Sequence, residues 1–145
     1  FGLAAFATQQ SRHAESDRVI WGTPPYVAPE RLCNQREDVR SDIYSLGATL
    51  FHGVAGKPPI ESSTNSATEL YALKQHPSEL RVMAPKVSGP TARVLQRMIA
   101  PDPKQRFSSY DELLTELDAA RRALDIRDAR RQSSRWPFSG FFRHN

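Results

Sequence analysis

The sequence carries its strongest signal at residues 22–30, which read Gly22-Thr23-Pro24-Pro25-Tyr26-Val27-Ala28-Pro29-Glu30. Residues 1–27, which lead into this stretch and overlap it, are mostly small and polar and show no sustained hydrophobic period. That pattern is typical of a loop. A structureless loop of such length inside a compact domain is usually functional or marks a misassigned element. We therefore expect a long, partly ordered loop ahead of residue 28.

Beyond residue 30 the hydrophobic pattern has the period of α-helices. Helices are predicted over residues 38–55, 66–75, 91–100 and 110 to about 124. No strand pair stands out, so the residues alone predict an all-α unit of four or five helices. Such a unit is compatible with many functions, and the pattern alone does not choose among them.

The first predicted helix has a glycine, Gly47, in its interior. Its apolar residues at helical spacing are Ile43, Leu46, Leu50 and Val54. A glycine inside a helix costs about 1 kcal/mol relative to alanine and usually marks the close approach of a neighbouring backbone. Such an approach is predicted at Gly47.

The last predicted helix has the clearest start signal. Ser109 and Glu112 have the spacing of a capping box, in which two side chains satisfy free backbone amides reciprocally. The residues that then repeat at helical spacing are Tyr110, Leu113, Leu117, Ala120 and Leu124. They predict an amphipathic helix that ends near residue 124.

Charge is distributed unevenly along the chain. Seven arginines and two aspartates follow residue 118, a net charge of +5, whereas residues 1–118 hold 13 basic and 14 acidic side chains. The body therefore has no basic bias, and we expect no nucleic-acid partner. Cys33 is the only cysteine, which excludes an internal disulfide and a cysteine-based zinc cluster. A single thiol fits a reducing, cytoplasmic compartment.

Residues 22–30 resemble the end of the activation segment of protein kinases, whose signature is Ala-Pro-Glu, here Ala28-Pro29-Glu30. Further stretches follow in kinase order. Phe1-Gly2 resembles the end of the Asp-Phe-Gly motif, residues 40–47 resemble the start of the central helix of the C-terminal lobe, and residues 98–107 resemble the link to the last helix. The sequence of residues 40–47 resembles that of bacterial serine/threonine kinases. The resemblance covers residues 1 to about 120.

This resemblance implies an α+β protein kinase-like fold for the parent domain, of which the chain is the mainly α-helical C-lobe portion. It divides the chain into a partial kinase domain at 1–124, with an activation segment at 1–30 and a helical C-lobe at 31–124, and a basic, flexible tail at 125–145. The implied activity of the parent is transfer of the ATP γ-phosphate to serine or threonine hydroxyls of proteins, with ATP and magnesium as cofactors.

The resemblance also implies roles for individual residues. Glu30 and Arg106 match a buried ion pair that ties the activation segment to the last helices, the alternative being two unrelated surface charges. Asp42 matches an aspartate that accepts backbone hydrogen bonds from the catalytic loop, the alternative being a first-turn residue favoured by the helix dipole. Thr23 matches the threonine that helps to receive the substrate hydroxyl.

Three hydroxyls in the loop are candidate phosphorylation sites. Thr8, Ser11 and Ser16 lie where such kinases are often phosphorylated, and a phosphate there would order the loop by pairing with a basic pocket. The alternative at each position is an ordinary solvated hydroxyl.

The parts that act on ATP in this family are absent from residues 1–145. These parts are the glycine-rich loop, the strand lysine, the catalytic aspartate and asparagine, and the magnesium-binding aspartate. We therefore expect no catalytic or metal-binding residue in the chain, no cofactor bound to it, and no activity of the fragment alone. Its partners would be protein substrates and the missing N-lobe and catalytic loop of the same kinase. The alternatives are a non-catalytic pseudokinase, a protein-binding module, or a truncated remnant.

The tail mixes cations with aromatics, as in Arg135-Trp136-Pro137-Phe138. This mixture is found in segments that lie on a membrane surface, which would make the parent membrane-anchored. The alternative is a disordered, charged terminus.

Overall fold

The computed structural model describes residues 23–64 and 66–134. Within them lie six α-helices: α1 (Pro29–Leu32), α2 (Val39–Ala55), α3 (Ala67–Lys74), α4 (Leu80–Met83), α5 (Gly89–Met98) and α6 (Tyr110–Ser134). Two 3₁₀ turns, Pro24–Tyr26 and Pro103–Gln105, complete the described elements. No strand occurs in the described residues, which agrees with the predicted helical C-lobe. The two four-residue helices were not predicted, because they are too short to show a period.

The core lies where α5 contacts both α2 and α6. Its fully or almost fully buried side chains include Ile43, Tyr44, Phe51, Met98, Ile99 and Phe107. A smaller apolar cluster of Val27, Leu32 and Leu70 joins α1 to α3. The end of the predicted activation segment is therefore packed on the helices, and α3 is its nearest helical neighbour.

The four apolar residues that predict α2 do not all face the core. Ile43 is fully buried, but Leu46, Leu50 and Val54 are 38%, 38% and 44% exposed. The helix instead buries a neighbouring face, formed by Tyr44, Gly47, Ala48 and Phe51. Because these residues also recur at helical spacing, periodicity alone could not choose between the two faces.

The last helix continues beyond its predicted end. α6 runs to Ser134, so residues 125–134 of the predicted flexible tail are helical. No glycine or proline occurs between Leu124 and Ser134, and arginine, a good helix former, occurs there three times. The prediction placed the end where the apolar stripe stops, but a helix needs no apolar stripe once it has left the core.

The start of α6 is capped by two serines. The Ser109 hydroxyl accepts a hydrogen bond from the Glu112 amide at 3.1 Å, as the capping box predicts. The reciprocal bond is shifted by one residue, because the Glu112 carboxylate accepts from the amide and the hydroxyl of Ser108, both at 2.7 Å. The two hydrogen bonds from Ser108, together with one from Arg97, lower the pKa of the Glu112 carboxyl to about 2.

Candidate functional site

The segment that follows Thr23 forms a tight turn. The Tyr26 amide donates to the Thr23 carbonyl at 3.0 Å, and Pro24 and Pro25 occupy the 3₁₀ turn between them. Thr23 is exposed, and its hydroxyl makes no capping hydrogen bond. The side chain predicted to receive a substrate hydroxyl is therefore presented at the surface.

Ala28 and Pro29 begin the short helix that carries Glu30. Ala28, at the N-cap, is extended and 2% exposed, and Pro29 occupies the first helical position, where its missing N–H costs nothing. This start places the Glu30 carboxylate in the interior, with the residue 4% exposed.

Glu30 and Arg106 form the predicted buried ion pair. Arg106 Nη1 donates to Glu30 Oε1 at 2.7 Å, and Nη2 donates to Oε2 at 2.9 Å, although the residues are 76 positions apart. Arg106 is only 2% exposed. The two parallel bonds are the bidentate geometry that a guanidinium makes with a carboxylate. The prediction of a contact within hydrogen-bonding distance is confirmed.

The other Arg106 donors reach backbone carbonyls. Nε donates to Ala100 at 2.7 Å, Nη1 to Arg40 at 3.0 Å and Nη2 to Pro101 at 3.0 Å. The guanidinium carbon lies 4.8 Å from the centre of the Tyr44 ring. One side chain thus joins α1, the start of α2 and the link after α5.

The Glu30 carboxylate is kept ionised by its partners. Burial on its own raises its pKa, but hydrogen bonds from Arg106 and from the Ser41 hydroxyl (2.7 Å to Oε1) outweigh burial and lower the pKa below its usual 4.5. A carboxyl group whose pKa is lowered by folding stabilises the fold above that usual value and loses this contribution as the pH falls.

Acid should therefore destabilise the fold through Glu30. We expect the free energy of unfolding to decrease as the pH is lowered from 4.5. Urea denaturation at a series of pH values, followed by circular dichroism, measures this decrease. In Glu30→Gln, which has no proton to gain, the decrease should be shallower; equal slopes for this variant and the parent chain would contradict the assignment.

Asp42 and Gly47 lie on α2, close to this pair in sequence. Asp42 is exposed, and the hydrogen bond shown for its carboxylate in the described residues comes from the Tyr110 hydroxyl at 3.2 Å. At Gly47 an added Cβ would lie 2.5 Å from Met98 Cβ and 3.1 Å from Ile99 Cγ2. The predicted close approach of a neighbour is therefore present, and the neighbour is the end of α5.

Sequence reasoning missed Lys74. Its side chain is fully buried, Nζ donates to the Pro25 carbonyl at 3.2 Å, and Nζ lies 5.2 Å from the centre of the Tyr44 ring. Burial, with a smaller contribution from the positive charge of Arg106 and against the opposing charge of Glu30, lowers the pKa of Lys74 to about 8. The spacing could have revealed it, because Lys74 follows the buried Leu70 by one helical turn.

A second contact that was not predicted joins the turn to α2. The Tyr26 hydroxyl lies 2.6 Å from His52 Nδ1, and the two rings stack with centres 6.0 Å apart. The turn is thus held from α2 by His52 and from α3 by Lys74.

Several predicted residues lie outside the described residues. They are Phe1 and Gly2 of the motif at the start, and the candidate phosphorylation sites Thr8, Ser11 and Ser16. In the described part of the chain, no group of His, Cys, Asp or Glu side chains could hold a metal ion. Across the same residues, no helix has the length and hydropathy needed to cross a membrane.

Comparison with known proteins agrees with this geometry. The protein kinase domain family matches residues 1–117. The chain belongs to the protein kinase domain family. The family transfers phosphate from ATP with magnesium and acts on protein substrates, and the helices described above are its C-lobe portion.

Individual relatives are serine/threonine kinases. The DNA damage-responsive serine/threonine-protein kinase RqkA of Deinococcus radiodurans is 34% identical over 91% of this chain and 20% of its own length. The serine/threonine-protein kinase PknJ of Mycobacterium bovis is 34% identical over 70% of this chain and 18% of its own length. Human serine/threonine-protein kinase ULK3 is 33% identical over 67% of this chain and 20% of its own length. The chain thus spans about a fifth of the length of these kinases.

Proposed function

We propose that the chain is part of the catalytic domain of a serine/threonine protein kinase, which transfers the ATP γ-phosphate to hydroxyls on proteins. The observation that carries this proposal is the buried Glu30–Arg106 pair, which fixes the end of the activation segment to the helices. In this proposal the chain supplies the activation segment and the substrate platform. ATP and magnesium bind to residues outside the chain, so residues 1–145 alone do not transfer phosphate.

The exposed turn supports the choice of serine and threonine as acceptors. Thr23 is exposed and its hydroxyl is not used in capping, so it is available to a substrate hydroxyl. The turn behind it is fixed by the Tyr26 amide and by the contacts of Tyr26 and Pro25 with α2 and α3. A pre-positioned polar group of this kind contributes to catalysis by orienting the reacting hydroxyl.

Replacing Thr23 tests this role in the complete protein that contains the chain. Thr23→Ala should lower kcat/KM for a protein substrate roughly tenfold, the effect of losing one hydrogen bond in the transition state. Thr23→Ser keeps the hydroxyl and should restore most of the activity. Steady-state phosphate transfer from labelled ATP is the measurement.

Thr49→Ala is the matched control, because the Thr49 hydroxyl is exposed and donates only to the Ser45 carbonyl of its own helix. Its activity should equal that of the parent. Equal activity of Thr23→Ala and Thr49→Ala would exclude the proposed role of Thr23. If the complete protein transfers no phosphate at all, the pseudokinase or binding-module alternative replaces the proposal.

The same proposal places the kinase in the cytoplasm, as the single cysteine suggests, with its tail near a membrane surface. Five exposed arginines of α6 that follow residue 120 would be attracted to anionic lipid: Arg121, Arg122, Arg127, Arg130 and Arg131. Sedimentation of the complete protein with anionic vesicles, compared with neutral vesicles, tests this location.

A further inference from the structure

The turn at Pro24–Tyr26 has few backbone hydrogen bonds that could fix its position. Pro24 and Pro25 have no N–H group, so neither can donate a backbone hydrogen bond. The Tyr26 amide supplies the single backbone hydrogen bond shown across the turn. The position of the turn on the helices must therefore be set by side chains that reach its carbonyls or its rings.

Lys74 reaches the turn from α3. Its Nζ donates to the Pro25 carbonyl at 3.2 Å, across 49 positions of sequence. The Pro25 carbonyl lies two residues after Thr23, so this bond fixes the backbone next to the side chain proposed to meet the substrate. The aliphatic part of Lys74 is fully buried, which leaves the ammonium group little freedom to move.

The surroundings of Lys74 do not favour a buried positive charge. Glu30 is the buried carboxylate nearby, but both of its oxygens already accept hydrogen bonds from Arg106. In the described residues no carboxylate forms an ion pair with Lys74, and Arg106 adds a second positive charge on the same Tyr44 ring. A buried cation without a carboxylate is unfavourable, and an apolar side chain of similar length would avoid that penalty. Stability therefore does not account for a lysine here.

We propose that Lys74 is a positioning residue for the protein substrate: it holds the Pro25 carbonyl and thereby fixes the turn that presents Thr23. The inference rests on the proposed kinase function. It predicts that Lys74 affects recognition of the protein substrate and leaves ATP recognition unchanged, because the turn is not part of the ATP machinery.

Lys74→Met tests the proposal in the complete protein, because methionine keeps the length and removes the donor. The KM for a protein substrate should rise roughly tenfold, the loss expected for one hydrogen bond from a charged group. The KM for ATP should not change. The melting temperature at pH 7 should be unchanged or higher, because an uncompensated buried charge has been removed.

Lys86→Met is the matched control. Lys86 is exposed, and its replacement should leave both KM values unchanged. A purely structural role for Lys74 would give a lower melting temperature and a smaller active fraction, with both KM values unaltered. That result would overturn the proposal, and so would an unchanged KM for the protein substrate.

The pH dependence gives a second readout. Lys74 has a pKa of about 8, set mainly by burial, and the groups that face it are Glu30 of α1, Tyr44 of α2 and Arg106 after the second 3₁₀ turn. Loss of its proton weakens the charge-assisted hydrogen bond. Between pH 7 and pH 9 the KM for the protein substrate should rise in the parent and in Lys86→Met. The rise should be smaller in Lys74→Met. Parallel curves of KM against pH for all three proteins would count against the proposal.

Hydrogen exchange separates this inference from the kinase proposal. If the complete protein transfers no phosphate, the kinase proposal fails, but exchange of the Tyr26 amide still reports on the turn. Lys74→Met should speed exchange of this amide roughly tenfold and leave the amides of α5 unchanged. Unchanged exchange at Tyr26 would show that Lys74 does not hold the turn.

Discussion

Replacing Arg106 with alanine is expected to lower the free energy of unfolding by about 3–5 kcal/mol. The variant leaves the Glu30 carboxylate buried without its bidentate partner and removes the hydrogen bonds that Arg106 donates to the carbonyls of Ala100, Arg40 and Pro101. Arg106→Lys should also be destabilising, because one ammonium group cannot reproduce two parallel bonds and the stacking on Tyr44. Urea denaturation followed by circular dichroism gives both values.

Arg121→Ala provides the comparison for an exposed pair. Arg121 lies 3.9 Å from Asp118 on α6, and both side chains are largely exposed. An exposed pair contributes about 0–1 kcal/mol, so this variant should unfold much like the parent. If Arg106→Ala and Arg121→Ala were equally stable, the buried pair would not anchor the activation segment.

Gly47→Ala has the second largest expected effect on stability. The new methyl group would lie 2.5 Å from Met98 Cβ, and neither carbon can move without its backbone. The end of α5 would have to move away from α2, and overpacking of this kind costs about 1–3 kcal/mol. The same denaturation experiment should show a lower free energy of unfolding, although alanine is the better helix former.

Gly53→Ala is the control on the same helix. Nothing lies within 4 Å of a Cβ built at Gly53, so alanine meets no neighbour there. It should raise the free energy of unfolding by about 0.5–1 kcal/mol through the lower flexibility of the unfolded chain. A Gly47→Ala chain as stable as Gly53→Ala would show that α5 does not pack on Gly47 as described.

The long-range contact could be predicted, whereas some local details could not. No periodicity brings Glu30 to Arg106 across 76 positions, and the family resemblance alone connected them. The buried face of α2 could not be chosen from the sequence, because apolar residues occupy more than one side of the helix, and Leu46 is 38% exposed. The helix around Lys74 is predicted by the sequence, but a charged residue is normally exposed, and the burial of Lys74 beside Pro25 and Tyr44 follows from tertiary packing.

Helix ends and caps were the other differences. α6 continues to Ser134 because nothing in its sequence breaks it, whereas the prediction relied on the apolar stripe. α5 begins at Gly89, two residues before its predicted start, because the Ser88 hydroxyl caps the helix by accepting a hydrogen bond from the Thr91 amide at 3.2 Å. Helix ends are determined less strongly by composition than the core is, because a cap of one hydrogen bond or the absence of a helix-breaking residue can move them.

Phosphate transfer to an identified amino acid tests the central claim most directly. The complete protein that contains this chain is incubated with labelled ATP, magnesium and a mixed protein substrate, and the labelled amino acid is identified after hydrolysis. We expect phosphoserine and phosphothreonine, with a reduced yield from Thr23→Ala and no label transferred by residues 1–145 alone. Label on tyrosine, or no transfer by the complete protein, would contradict the assignment of a serine/threonine kinase.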